Sequence, residues 1–256
     1  MTTEPTKPKP RRHWLQFSLR TLFVLVVVLC GWLAWMAHTA RVNDLKAHRP
    51  LGIACAATLS STDASPRLCH GQTNDQARAG RMTRDEAAEL VQFLTASSNN
   101  GSTILTWNGL GFDFDILAEE AGMVEECRRL ALGHVDMMFH VFCELGYPIG
   151  LDRAAQGMRL PGKSATVAQH MAPQLWAEGR TDEVLAYVAQ DVRATLELAG
   201  ACERQRVLCW IARSGNTRDM KLRSGWLTVD AAMRLPEPDT SWMDNPMSRT
   251  RFTEWL

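Results

Sequence analysis

The longest apolar run of the chain is "TLFVLVVVLCGWLAWMA" at 21–37, which carries no charge. Its length meets the lower end of the roughly 17 to 25 residues that span a bilayer as a helix. The pattern predicts one N-terminal transmembrane helix over 21–40, with Trp32 and Trp35 suited to the interfacial belt. Residues 1–20 read as a disordered basic tail, with Lys7, Lys9, Arg11 and Arg12 among prolines. By the charge rule these cations keep the N-terminus cytoplasmic and send the body to the far side. A cleaved signal peptide fits less well, because the run is long and no small-x-small site follows it.

Beyond residue 41 the pattern turns globular. "LGIACAATLS" at 51–60 predicts a buried strand, and "SSTDASP" a turn into a second strand at 67–70, together a hairpin. In "TRDEAAELVQFLTA", Thr83 stands three residues before Glu86, the spacing of a capping box at the head of an amphipathic helix. "STILT" at 102–106 predicts another buried strand, followed by helical stretches to about residue 145. "LDRAAQGM" reads as a short helix, and 164–179 and 181–212 as longer ones. Short elements and proline turns fill 214–256, read as an extension packed on the domain. Strands first and helices afterwards predict an α/β domain, a small mixed sheet flanked by helices.

Composition narrows the chemistry. A chain of 256 residues with 46% hydrophobic residues buries a substantial core, so global disorder is excluded. Zero formal net charge means that any nucleic-acid contact rests on local patches. Seven cysteines without a CxxC pair argue against a disulfide framework or a zinc ribbon, and for buried thiols.

Two short motifs carry candidate chemistry. "TWNGLGFDFDIL" places Asn108, Asp113 and Asp115 where the strand at 102–106 gives way to a helix. "YVAQDV" places Tyr187 and Asp191 four apart, on one face of a predicted helix. In this order and spacing the pair resembles the DEDD family of 3′–5′ exonucleases, in the branch with a tyrosine in its last motif. "LGYPIGLDRAAQGMRLPGK" between them resembles the family's intervening stretch. The resemblance implies a ribonuclease H-like fold, over 41–213. It also implies a pair of Mg²⁺ or Mn²⁺ ions about 3.5–4 Å apart that clamp an in-line phosphodiester displacement. Asp113 and Asp191 would then be metal ligands, Tyr187 would orient the attacking water, and Asn108 would bind the substrate backbone. Asp115 is read as a helix N-terminal residue. The implied partners are single-stranded nucleic acid 3′ ends, with no organic cofactor. The opening "RHWLQFSLRTLFVLVVVL" also resembles the anchor segments of many planctomycete proteins.

The chain departs from that family in its first motif, a D-x-E on the first strand. Counting back from 51–60, it should fall near 38–44, where "HTARVND" offers Asp44 as the one carboxylate. Losing the bridging acids should lower hydrolysis by orders of magnitude. The expectation is therefore an impaired 3′–5′ exonuclease-like protein, single-pass in a membrane through its N-terminal helix, with the side of the domain left open. Its alternative is a catalytically inactive, membrane-tethered module that binds nucleic acid or protein. A third reading comes from "GMRLPGKS", which matches the P-loop pattern of an NTPase and makes Lys163 a phosphate contact. That pattern needs a strand before Gly157, and the preceding residues read as a helix. His134, Asp136, His140, Cys143 and His170 lack ligand spacing and are read as structural. Trp226, Trp242 and Trp255 offer base stacking, or plug the extension onto the core.

Overall fold

The computed structural model of the protein describes residues 49–161 and 171–256, together with the backbone of 22–28. Five strands form the main sheet: β1 (Leu22–Val28), β2 (Cys55–Ser60), β3 (Arg67–His70), β4 (Thr103–Thr106) and β5 (Val135–Asp136). Their order is β3-β2-β1-β4-β5. β2 runs antiparallel to β1 and β3, whereas β4 runs parallel to β1 and β5.

Successive residues of a strand face opposite sides. Cys55, Ala57, Leu59 and Leu105 thus join one apolar cluster, and Ala56 and Ile104 the other. Both faces of the sheet are covered, which is why β2 is buried along its whole length. One cover is α1 (Arg84–Asn99), α2 (Phe114–Ala121), α3 (Val124–Gly133) and most of α4 (Met137–Leu145). The other is α5 (Leu151–Gly157), α6 (Ala172–Ala177) and α7 (Thr181–Gln205). An antiparallel hairpin follows, β6 (Val207–Ile211) and β7 (Thr217–Lys221), then α8 (Val229–Ala232) and α9 (Thr250–Thr253).

The β2–β3 hairpin and the head of α1 agree with the sequence pattern. Thr83 Oγ1 accepts from the Glu86 amide at 3.2 Å, and the Thr83 amide donates to Glu86 Oε2 at 2.7 Å, a closed capping box.

The N-terminal helix expected over 21–40 is corrected. Leu22–Val28 forms the middle strand of the sheet, paired with β2 on one side and β4 on the other. The rest of the expected helix, 29–40, lies outside the described residues. Among the described residues no helix is long and apolar enough to cross a membrane. The basic tail, Asp44 and Lys163 lie outside the described residues.

A second correction concerns 181–212. The helix stops at Gln205, where Arg206 takes a left-handed φ of 54°, and "VLCWI" becomes a strand. The P-loop reading fails on context: Gly157 closes α5, a helix, and no strand leads into it. A Cβ at Gly157 would lie 2.3 Å from Trp210 Cα, so this glycine lets the helix meet β6.

Candidate functional site

β4 ends at Thr106, and the chain reverses through Asn108, which holds a left-handed φ of 72°. Gly109–Asp113 form one π-helical turn that runs straight into α2. A Cβ at Gly109 would sit 2.5 Å from Thr106 Oγ1, so only glycine permits this reversal.

Buried groups from the neighbouring strand and helix hold the turn. The Asp136 carboxylate accepts from the amides of Asn108 at 2.9 Å, Leu110 at 2.8 Å and Phe139 at 3.0 Å. It therefore fixes the turn and caps α4 at once. Burial raises the Asp136 pKa, and the amide donors only partly oppose it. His134 makes the companion contact. Its Nδ1 donates to the Ala131 carbonyl at 2.6 Å, which leaves Nε2 to accept from Thr106 Oγ1 at 3.0 Å. Thr106 Oγ1 in turn accepts from the Gly109 amide at 3.1 Å. Burial lowers the His134 pKa to about 4, so the ring is neutral, as this chain of donors requires.

The C-terminal extension closes the outer side. Trp255 Nε1 donates to the Leu110 carbonyl at 2.7 Å, and the Phe252 ring lies where a Cβ on Gly111 would be, 2.7 Å away. Phe252 also stacks on Phe142, ring centroids 4.8 Å apart. Arg249 ties the strap down, donating to the carbonyls of Leu235 and Pro236 at 2.8 Å and of Cys143 at 3.0 Å. Trp226 and Trp255 are plugs, as the plainer reading had it, whereas Trp242 is 67% exposed.

Asp113 is buried at the end of the π turn. Asp115 begins α2 and pairs with Arg49, which also reaches Glu119 at 2.8 Å, in line with the helix-start role expected of it. Asn108 is half-buried, and its backbone is fixed by the amide hydrogen bond it donates to Asp136. On α7, Tyr187 and Asp191 are buried on one helix face, and the Asp191 carbonyl accepts from Thr195 Oγ1 at 2.8 Å. β1 packs against both the π turn and α7, the two elements that carry the motifs.

That strand is "LFVLVVV", without an acid. The place expected for the first motif, 38–44 with Asp44, lies outside the described residues. Among the described residues no three His, Cys, Asp or Glu side chains gather to hold a metal ion. Divalent ions such as Mg²⁺ take hard oxygen ligands, and Asp113 and Asp191 are two carboxylates that would suit them. Two carboxylates do not make up the donor set of an ion pair.

The other described candidates serve structure, and His170 lies outside the described residues. His140 Nδ1 accepts from the Leu227 amide at 3.3 Å, its ring meets Trp226 edge-on at 5.6 Å, and burial lowers its pKa to about 4. Burial pushes the thiols of Cys127, Cys143 and Cys202 up to about 12, which removes them as nucleophiles at neutral pH. What the motifs alone missed is the clamp of His134 and Asp136. One signal existed: an Asp at the head of the apolar run "MMFHVF", the pattern of an N-cap.

No curated protein matches the chain. Residues 69–202, just over half of it, match the RNase H superfamily. With this match and a five-stranded mixed sheet in the order β3-β2-β1-β4-β5, the chain belongs to the RNase H superfamily.

Proposed function

We propose that this protein engages nucleic acid 3′ ends as an exonuclease-type member of the superfamily, with its hydrolytic step strongly impaired. Asn108 binds the terminal strand, and Asp113 and Asp191 face the scissile phosphate region with Tyr187. The observation that carries this reading is the pairing of two buried aspartates on elements that flank the same strand, one of them on a turn held by Asp136 and His134. Such a turn costs hydrogen-bonding groups and a strained Asn108, and functional sites are where such strain accumulates.

Two-ion hydrolysis asks for acids on the first strand, and Leu22–Val28 supplies none. Asp44 remains the one candidate for a further ligand near the domain start.

The test is a nuclease assay of the full chain on end-labelled single-stranded DNA and RNA, with Mg²⁺ or Mn²⁺, beside Asp113→Ala/Asp191→Ala and Asp44→Asn. The expected result is binding with metal-dependent shortening from the 3′ end orders of magnitude slower than a complete site achieves, lost in the double variant. Shortening that the double variant retains contradicts the site. Binding with no shortening favours the second reading, a silent nucleic-acid-binding module, which the acid-free first strand supports.

A further inference from the structure

The protein has no net charge, yet its cations are not evenly matched. From 203 to 223 the chain carries six (Arg204, Arg206, Arg213, Arg218, Lys221 and Arg223) against two acids, Glu203 and Asp219. These residues form the end of α7 and the β6–β7 hairpin, beyond the superfamily match at 69–202.

Elsewhere several arginines are neutralised locally. Arg78, Arg128, Arg129, Arg180 and Arg234 sit in ion pairs, and Arg49 holds two carboxylates. Arg81 and Arg84 make no ion pair among the described residues, but they line a cleft together with Glu119 and Glu120. On the hairpin Glu203 is taken by Arg206 at 3.0 Å. Arg204, Arg213, Arg218, Lys221 and Arg223 are exposed and have no carboxylate partner among the described residues. Edge strands carry charge to prevent aggregation, but that need is met by either sign and does not call for five unpaired cations.

The hairpin is also tied to the site. Trp107, beside Asn108, donates its Nε1 to the Ile149 carbonyl at 3.2 Å. α5 begins two residues later and ends against β6, where Met158 Sδ accepts from the Cys209 amide at 3.2 Å. Arg153, midway along α5, reaches the Ile211 carbonyl at 3.4 Å. α5, roughly 10 Å long at 1.5 Å per residue, thus packs along β6 and links it to the Trp107 contact.

We propose that the β6–β7 hairpin, with the end of α7 and Arg153, is a docking surface for the phosphate backbone of the nucleic acid strand whose end lies at Asn108. This rests on the functional reading above and adds the path of the strand. Unpaired guanidinium groups suit phosphate by charge and by bidentate geometry.

The experiment measures binding of the full chain to fluorescein-labelled single-stranded oligonucleotides of about 5 and about 20 nucleotides, spanning known single-strand site sizes, over a range of salt. The variants are Arg213→Gln/Arg218→Gln/Lys221→Gln/Arg223→Gln and, separately, Asn108→Ala/Asp113→Ala, each shown to be folded by its thermal transition. The quadruple variant is expected to lose about tenfold or more in affinity for the long strand, with a salt slope smaller by about 0.7 for each phosphate that is no longer neutralised. The short strand is expected to bind it as it binds the original chain. Unchanged long-strand binding in the quadruple variant, with loss in the Asn108/Asp113 variant, overturns the hairpin and leaves the site. Loss in the quadruple variant with no effect of the Asn108/Asp113 change keeps the hairpin as a nucleic-acid surface and sinks the site reading. Binding to phosphatidylserine vesicles without oligonucleotide binding overturns both in favour of a membrane surface.

Discussion

The turn that leaves β4 and the strand β1 lie side by side in the sheet, yet they are built in opposite ways. In the turn the amides of Asn108, Gly109 and Leu110 are all taken by side chains, from Asp136 and Thr106. Beneath that layer His134 holds Thr106, and above it Trp255 holds Leu110. β1 is defined by backbone pairing to β2 and β4, in a run of seven apolar residues. The difference teaches that geometry and chemistry are kept by separate residues in this fold. Groups outside the motifs hold the turn, whatever side chains the neighbouring strand carries.

The sharpest way to break that contrast is to give β1 the acids it lacks. An Asp and a Glu two residues apart, tried at Leu25/Val27 and at Val26/Val28, should cost about 5 kcal/mol or more without metal, because carboxylates enter a central strand unpaired. In one of the two registers Mg²⁺ or Mn²⁺ should restore much of the loss, since binding to the folded state alone stabilises it. Thermal transitions with and without metal read this directly. A metal response in neither register contradicts the placing of Asp113 and Asp191 about β1.

Next in size is Asp136→Ala. It strands three amide donors in a buried site, each costing about 1–3 kcal/mol, so a total of roughly 3–5 kcal/mol is expected after relaxation. Urea denaturation measures it, and Asp136→Asn, which keeps an acceptor oxygen, should recover part. A loss below about 1 kcal/mol would mean that the turn stands without its clamp.

The histidines give the clamp a pH signature. Folding lowers His134 and His140 from 6.5 to about 4, so their stability is present above pH 6.5 and is lost as pH falls toward 4. Each contributes about 1.4 kcal/mol per pH unit across that window. The raised pKa of Asp136 acts with the opposite sign, because the folded state then takes up its proton more readily, and offsets part of the fall. Urea midpoints from about pH 7 to about pH 4.5 should therefore decline, and His134→Gln should flatten the decline. A midpoint indifferent to pH rules out neutral, buried histidines.

The smallest effect belongs to the strap. Trp255→Phe keeps the ring but removes the hydrogen bond to Leu110, a loss of about 1 kcal/mol in urea denaturation. A larger loss of oligonucleotide affinity than of stability would show that the strap positions the turn for binding.

Much of this fold is legible where the signal is local. The capping box of Thr83 and Glu86 and the apolar run at 51–60 each declare themselves within a few residues. β1 was missed for a physical reason. An uninterrupted apolar run has no period, so it reads equally as a membrane helix or as a strand buried on both faces. β5 has two residues, too few for any pattern. The end of α7 is set by the backbone of Arg206, a residue type that seldom signals a stop. The clamp by Asp136 spans 28 and 26 residues to Asn108 and Leu110, a relation that only the folded chain brings about.

The most direct measurement compares linear and circular single-stranded oligonucleotides of one sequence for binding to the full chain, with Asn108→Ala/Asp113→Ala beside it. The account predicts tighter binding of the linear strand, which has a 3′ end, and loss of that preference in the variant. Equal affinity for the two forms, unaltered by the variant, would contradict a 3′-end site at this turn.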